Sequence, residues 1–170
     1  MQVDAKDILY MLAKEFDLKR EDTSKRLVLQ KTIYLLQAYG LKLGYGFSWY
    51  RYGPYSQDLV QDAYEVLHSA KDTYQRRVGS LSFSTSCKRR FDKFKKICGD
   101  TLKDPAQLEL IASVDFARTT WYPKAEVNEG TFISCFISER KKYLYDGKKI
   151  DKTMVQNALE VVKKLRTPAN

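Results

Sequence analysis

One segment, residues 24–40, is apolar around almost the whole circumference of the helix that its spacing predicts. Leu27, Ile33 and Leu36 lie on different sides of that helix, and Gly40 stands where a left-handed residue commonly ends one. A helix that is apolar on nearly every side has to be surrounded by other elements. The rest of the chain is therefore expected to pack around this segment.

The other segments are mostly typical of amphipathic helices. Apolar residues recur at helical spacing in five of them, namely 4–17, 87–98, 105–122, 129–138 and 150–165. Asp4 and Asp151 precede two of these helices and are predicted to cap them. Six helices, counting the apolar one, indicate a mainly α fold.

A small antiparallel β element is expected beside the helices. Residues 44–52 alternate, with Tyr45, Phe47 and Trp49 on one face, and predict a strand that ends at Gly53-Pro54. A further helix should begin at Pro54 or Ser56. Residues 70–86 are polar and turn-prone, and the segment 78–83 is predicted to supply a second strand that pairs with 46–52.

The length and composition suit one compact domain. The chain has 170 residues, of which 44% are hydrophobic and 13% aromatic, which is enough apolar material for a core. We expect a single helical domain over 1–166 and a frayed tail at 167–170. The first residues lack the basic and apolar pattern of a signal peptide, and the apolar stretch 32–36 is too short for a bilayer, so no membrane contact and a cytoplasmic location are expected.

The sequence lacks the residues that most kinds of catalytic site require. The chain has one histidine, His68, and three cysteines without the spacing of a zinc site, and it contains no GxSxG or phosphate-loop motif. The triplet Glu139-Arg140-Lys141 has the form found in some metal-dependent nucleases, but such triplets arise by chance in charged chains. We expect no enzyme activity, no metal and no cofactor.

Positive charge is concentrated in the second half of the chain. The net charge is +9, of which residues 1–85 carry +2 and residues 86–170 carry +7. Two basic clusters, 88–96 and 140–149, are either solvated faces, a surface for an acidic protein, or contacts to phosphates that give sequence-independent nucleic-acid binding. In that last case the binding residues would be Lys88, Arg89, Arg90, Lys93, Lys96, Lys141 and Lys142.

The most specific local pattern runs through Arg26–Gln37, which contains Leu-Gln-Lys and Tyr-Leu, then Leu43–Ser56, which ends in Trp-Tyr-Arg-Tyr-Gly-Pro-Tyr-Ser, and then Leu59. This pattern resembles the prokaryotic YwgA-like family and, more distantly, the SocA-like or Panacea antitoxin domain, once described as a phage-associated protein. The chain departs from the commoner Panacea pattern in having Tyr55-Ser56 after Gly-Pro, which places it nearer the YwgA-like branch. The resemblance implies an antitoxin or adaptor that acts through protein contacts, without a cofactor.

The residues of this pattern divide into structural and partner-binding candidates. Gly53 and Pro54 suit a tight turn, and Trp49 is predicted to anchor the β element to the central helix, with Leu59 behind it. Buried polar groups need partners, so Gln30 and Tyr34 are expected either to hydrogen-bond the strand or the 53–56 turn or to line a partly exposed surface. In the second case that surface also includes Lys31, Arg51, Tyr52 and Tyr55, which we predict to bind the partner.

The predicted function is a non-enzymatic protein-interaction module that is antitoxin-like or belongs to defence against phage or mobile elements. Its partner is expected to be a protein, such as a toxin. The alternative is a basic regulator that binds nucleic acid through the clusters 88–96 and 140–149.

Overall fold

The computed structural model describes residues 3–167, which form eight α-helices and one two-stranded antiparallel sheet. The helices are α1 (Ala5–Glu15), α2 (Thr23–Ala38), α3 (Gln57–Tyr64), α4 (Lys71–Val78), α5 (Thr85–Cys98), α6 (Pro105–Thr120), α7 (Glu129–Cys135) and α8 (Lys152–Arg166). Short π-helical segments, Glu65–Ser69 and Phe136–Arg140, follow α3 and α7, and a 3-10 segment, Gly99–Lys103, follows α5. The prediction of a mainly α fold with a small antiparallel β element is confirmed.

Two helices, α2 and α6, share the centre of the molecule. Every residue of 29–36 in α2 and of 108–115 in α6 is buried, so each helix is enclosed on all sides for about two turns. The two helices pack against each other, and α8 covers the other side of α6. The prediction of a surrounded central helix is confirmed for α2, and α6 is a second central helix that is buried to the same extent.

Side-chain caps fix where several helices begin. Asp4 accepts a hydrogen bond from the backbone N–H of Asp7, 2.9 Å from Oδ1, and Asp151 accepts one from Met154 at 2.8 Å. Both predicted caps are confirmed. Ser56 caps α3 through Leu59 N–H, so this helix begins after the later of its two predicted starts.

The β element is a hairpin made of β1 (Ser48–Tyr50) and β2 (Gly53–Tyr55), with Trp49 opposite Pro54. The prediction of a second strand at 78–83 is wrong because Val78 ends α4. The pair Gly53-Pro54 does not end the sheet but opens β2, since Gly53 adopts a φ of +85° and turns the chain back at once. The first strand is accordingly much shorter than the predicted 44–52.

Helix α4 lies within residues 70–86, which were predicted to be turn-prone because they are polar. Only Tyr74 and Val78 of this helix are buried. Its position is also held by Arg77, whose Nη2 donates to Oδ2 of Asp7 in α1 at 2.5 Å. A helix with so narrow an apolar face is stabilised by a contact 70 residues away, which local periodicity does not reveal.

The last helix ends at Arg166, and Thr167 N–H still donates to the carbonyl of Lys163 at 3.0 Å. The rest of the predicted frayed tail, 168–170, lies outside the described residues. No helix within 3–167 has the length and apolar character needed to cross a membrane.

Candidate functional site

The hairpin is attached to the molecule through β2, and Gln30 of α2 makes the first attachment. Its Nε2 donates to the carbonyl of Ser56 at 2.8 Å, and its Oε1 accepts from Ser56 N–H at 3.0 Å. The amide of Gln30 thus pairs with this residue as a neighbouring strand would. The prediction that Gln30 hydrogen-bonds the 53–56 turn is confirmed, and Gln30 is buried, so the partly exposed alternative is wrong for it.

The second attachment is Lys31, the next residue of α2. Its Nζ donates to the carbonyl of Pro54 at 2.6 Å, and the residue is only 2% exposed. Burial lowers the pKa of Lys31 to about 7, because the charged form loses its water. The expectation that Lys31 lies on an exposed partner-binding surface is therefore wrong.

A buried ion pair lies next to this contact. Nζ of Lys141 is 2.5 Å from Oε1 of Glu109 in α6, and Oε2 of Glu109 accepts from the Tyr145 N–H at 2.8 Å. Burial raises the pKa of Glu109, while the positive charges of Lys141 and Lys31 act in the opposite sense. Lys141 is 6% exposed, so the expectation that it contacts phosphates is wrong. We call Gln30, Lys31, Ser56, Glu109 and Lys141 the polar junction.

Gly53 brings β2 against α6 more closely than any side chain permits. A Cβ at this position would collide with Oγ of Ser113. That hydroxyl is buried and has no hydrogen-bond partner among the described residues. The predicted tight turn at Gly53-Pro54 is confirmed, and its requirement for glycine comes from both the positive φ and the close approach.

Tyr34 does not reach the hairpin turn. Its hydroxyl donates to Oδ2 of Asp115 at 2.7 Å, and Arg166 of α8 binds the same carboxylate through Nε and Nη2 at 2.7 and 2.9 Å. Burial and the adjacent carboxylate raise the pKa of Tyr34. Both predictions for Tyr34 are wrong, because it is buried and its partner lies in α6.

The apolar side of the hairpin packs mainly on α6. Trp49 contacts Phe116 and Trp121, with ring centroids 5.9 and 5.0 Å away, whereas Phe47 contacts Tyr34 of α2 at 5.2 Å. Trp49 therefore anchors the hairpin to α6 and not, as predicted, to the first central helix. Leu59, the last residue of the family pattern, is fully buried in the core.

Aromatic and arginine side chains reach the surface along the hairpin and at its border with the end of α6. The guanidinium of Arg140 lies 4.3 Å from the ring centroid of Trp121, and that of Arg51 lies 5.3 Å from the ring of Tyr52. Tyr50 is 63% exposed. We call this group the hairpin surface, and it consists of Trp49, Tyr50, Arg51, Tyr52, Tyr55, Trp121 and Arg140.

The arginines of the hairpin surface are not neutralised by the chain itself. Neither Arg51 nor Arg140 forms an ion pair with a carboxylate within residues 3–167. Strand β1 is also the outer strand of the sheet, since β2 is the one that packs on α2 and α6. The hairpin surface thus combines a positive charge, stacked rings and an unpaired strand edge.

The two basic clusters differ from their prediction in single residues. Lys88, Arg89, Arg90 and Lys96 are exposed on α5, but Lys93 is half-buried and its Nζ donates to the carbonyl of Thr167 at 3.2 Å. In the second cluster Lys142 is exposed while its neighbour Lys141 belongs to the polar junction. The exposed cations of α5 share their side of the helix with one exposed carboxylate, Asp92.

The carboxylates near the nuclease-like triplet lie in separate contacts. Glu139 accepts from the Tyr122 hydroxyl at 2.6 Å, Asp115 is held by Arg166, and Glu129 pairs with Lys163 at 2.8 Å. Within 3–167 no three histidine, cysteine, aspartate or glutamate side chains stand close enough together to hold a metal ion.

Two parts of this arrangement escaped the sequence reasoning. Glu109 and Ser113 are the polar residues of the run Leu108–Val114, which is otherwise apolar. A carboxylate in such a run indicates a buried ion-pair partner elsewhere in the chain. Trp121, which follows the last residue of α6, is half-buried beneath Arg140. No local signal connects Trp121 with Arg140, because α7 lies between them in the chain.

Similarity to known proteins assigns no function to this arrangement. Comparisons with models of known protein families, with curated proteins and with solved structures gave no match. The resemblance of segment 26–59 to the YwgA-like and Panacea families therefore stays a prediction made from its motif.

Proposed function

We propose that this protein is a non-catalytic interaction module that binds an acidic protein partner through the hairpin surface. The observation that carries the proposal is the stack of Trp49, Trp121 and Arg140 at the surface. The two indole rings are 5.0 Å apart and the guanidinium lies 4.3 Å from the second ring. Tryptophan, tyrosine and arginine are the side chains most enriched at the energetic centres of protein interfaces.

Charge and backbone support an acidic partner with an extended segment. Arg51 and Arg140 have no carboxylate of their own among residues 3–167, and the whole chain carries a net charge of +9. An acidic partner would therefore be attracted at a distance and would supply the missing carboxylates. The free edge of β1 offers backbone donors and acceptors to an added strand.

The kind of partner is proposed from the family pattern. The motif over 26–59 resembles YwgA-like and Panacea proteins, and this resemblance supports an antitoxin-like role or a role in defence against phage or mobile elements. The partner would then be a toxin. The unbridged thiols of Cys87, Cys98 and Cys135 support a reducing, cytoplasmic setting.

Co-purification from the native host with matched variants tests this proposal. The wild-type chain and the variant Arg51→Glu/Arg140→Glu are each immobilised, and a second charge-reversed variant, Arg89→Glu/Lys96→Glu, serves as a control of equal charge change. We expect one acidic protein to be retained by the wild type and the control and lost from the hairpin variant. Isothermal titration with the purified partner then gives the affinities.

Two results would contradict the proposal. Equal retention of the partner by the hairpin variant would place its binding elsewhere, provided that circular dichroism shows the variant folded. Recovery of no protein partner at all under conditions in which the bait is intact would remove the interaction role.

The second candidate function is binding of nucleic acid by the exposed face of α5, and the cluster of Lys88, Arg89, Arg90 and Lys96 favours it. Titration of duplex DNA at low and high salt should show affinity that falls steeply with salt. The variant Lys88→Glu/Arg89→Glu/Arg90→Glu should abolish it, while Arg76→Glu, at an exposed arginine of α4 outside both basic clusters, should change it little. Affinity that is weak and identical in all these proteins would remove this function.

A further inference from the structure

A cavity of about 560 Å³ opens between the end of α1, the loop that leads to α2, the first turns of α2, and the π-helical segment Glu65–Ser69. The residues that line it carry more positive than negative charge. We call this the basic cavity, and its polar lining consists of Lys14, Asp17, Lys19, Arg20, Glu21, Arg26, His68 and Lys71.

Most of the cations of the basic cavity lack an anion. Asp17 pairs with Lys19 at 3.3 Å, and Glu21 lies 3.8 Å from Lys25, which is outside the cavity. The described residues provide no carboxylate partner for the four other lysines and arginines of the lining, which are Lys14, Arg20, Arg26 and Lys71. Like charges gathered in a concave wall attract an anion more strongly than the same charges on a flat surface.

The two arginines are held in place before any ligand arrives. The Arg20 guanidinium stacks over the ring of Tyr64 at 4.7 Å. The Arg26 guanidinium donates to the Arg20 carbonyl and to Oγ1 of Thr23, each at 3.3 Å. Each guanidinium keeps further N–H donors free, and two fixed donors of this kind suit the oxygens of a phosphate group.

Local backbone features build the cavity walls. Asp17 adopts a φ of +50°, and Leu18 N–H donates to the carbonyl of Ala13 at 2.8 Å, so α1 ends in a Schellman turn with an aspartate where glycine is usual. This turn directs the following loop, with Arg20, back toward the π-helical segment that carries His68. Single-turn π-helices occur preferentially at functional sites.

We infer that the basic cavity binds a small phosphate-bearing molecule of the size of a nucleotide. Its volume of about 560 Å³ falls within the range of roughly 300–1,000 Å³ found for small-molecule sites. Its free guanidinium and ammonium groups match a group with two or more negative charges. No residue of the basic cavity belongs to the hairpin surface, so this site and the protein-binding site stand or fall separately.

Titration calorimetry and thermal unfolding with inorganic pyrophosphate, ADP and adenosine test the inference. We expect pyrophosphate and ADP to bind and to raise the Tm, and adenosine to do neither. Arg20→Gln and Arg26→Gln should each weaken pyrophosphate binding about tenfold, and together about 100-fold, since each removes a charge-assisted contact. Arg76→Gln, an exposed arginine outside the cavity, should bind as the wild type does.

Several results would overturn it. Failure of both pyrophosphate and ADP to bind at millimolar concentration would do so, and so would equal binding by the cavity variants and Arg76→Gln. If the arginine variants do not fold, Lys14→Gln/Lys71→Gln replaces two exposed lysines and must weaken binding. Retention by single-stranded DNA or by equimolar phosphatidylcholine and phosphatidylglycerol vesicles, without binding of either small probe, would assign the cavity to a different ligand.

Discussion

The polar junction beneath the hairpin and the hairpin surface above it use similar side chains in opposite ways. In the polar junction Lys31 and Lys141 are almost fully buried, and each points a charge at an oxygen of the chain. On the hairpin surface Arg51 and Arg140 lie over aromatic rings and form no ion pair with a carboxylate among residues 3–167, although Nε of Arg140 donates to the Tyr122 hydroxyl at 3.0 Å. The lysines of the polar junction therefore help to hold the hairpin in place, whereas the arginines of the hairpin surface keep N–H donors that another molecule could bind.

This contrast shows that sequence neighbours do not share a role. Lys141 is 6% exposed whereas Lys142 is exposed to solvent. Removing a charge from a buried pair leaves the other charge without compensation, whereas removing one from the surface leaves only water. Substitutions in the polar junction should therefore lower the free energy of unfolding more than substitutions on the hairpin surface do. Substitutions on the hairpin surface should instead have the larger effect on partner binding.

The largest expected effect comes from Lys141→Met. The change leaves the Glu109 carboxylate buried without its partner and should lower the free energy of unfolding by about 4 kcal/mol. Lys142→Met, the matched control, should change it by less than about 0.5 kcal/mol. Urea denaturation followed by circular dichroism measures both, and equal effects of the two changes would erase the distinction between the regions.

The next largest effect is expected from Gly53→Ala. Alanine at a φ of +85° and in collision with Ser113 should lower the free energy of unfolding by about 3 kcal/mol. Gly147→Ala has the same φ but nothing within 4 Å of its new Cβ, so it should cost only about 1 kcal/mol. A Gly53→Ala variant no less stable than Gly147→Ala would mean that β2 does not press against α6.

The pH dependence of stability should report on Lys31. Its pKa is about 7 in the folded chain and near 10.5 when unfolded, so the unfolded state binds more protons between these values. Stability should therefore rise with pH in that window, by about 1.5 kcal/mol between roughly pH 7 and 8.5. Lys31→Met should remove this rise and Lys142→Met should retain it, in urea titrations at several pH values. Identical pH profiles for all three proteins would show that burial does not lower the pKa of Lys31.

The smallest effects on stability are expected at the hairpin surface. Arg51→Ser should change the free energy of unfolding by less than about 0.5 kcal/mol, and Arg140→Ser by about 1 kcal/mol because Trp121 loses its cover. Both variants should keep the circular dichroism spectrum of the wild type and bind the partner with lower affinity. A loss of several kcal/mol at either position would make the hairpin surface part of the folded core.

The helices were predictable from the sequence where their stability is local. The apolar spacing of α2 and the caps Asp4 and Asp151 involve residues within a turn or two, and each was confirmed. Helix α4 and the pairing of β1 with β2 were missed, because one depends on Arg77 binding Asp7 and the other on an immediate reversal at Gly53.

The site was only partly predictable for the same reason. Gln30, Lys31 and Tyr34 form one polar stripe of α2, and the sequence does not tell whether such a stripe faces water or other polar groups. The answer depends on distant partners, which are Ser56 for Gln30 and Pro54 for Lys31, 26 and 23 residues further along the chain, and Asp115 for Tyr34, 81 residues further. Arg51 and Tyr52 were expected on a partly exposed surface, and Arg51 is exposed and Tyr52 half-buried, but they lie in the turn between the two strands and not in the predicted strand 44–52.

The pair of indoles on the hairpin surface has a practical consequence. The chain contains two tryptophans, Trp49 and Trp121, and they stand in edge contact with each other. Its intrinsic tryptophan fluorescence therefore originates from one patch, and two transition dipoles so close together should couple in the near-ultraviolet. Binding of a partner at the hairpin surface should therefore change the intrinsic tryptophan fluorescence, so that it can be followed without attaching a dye.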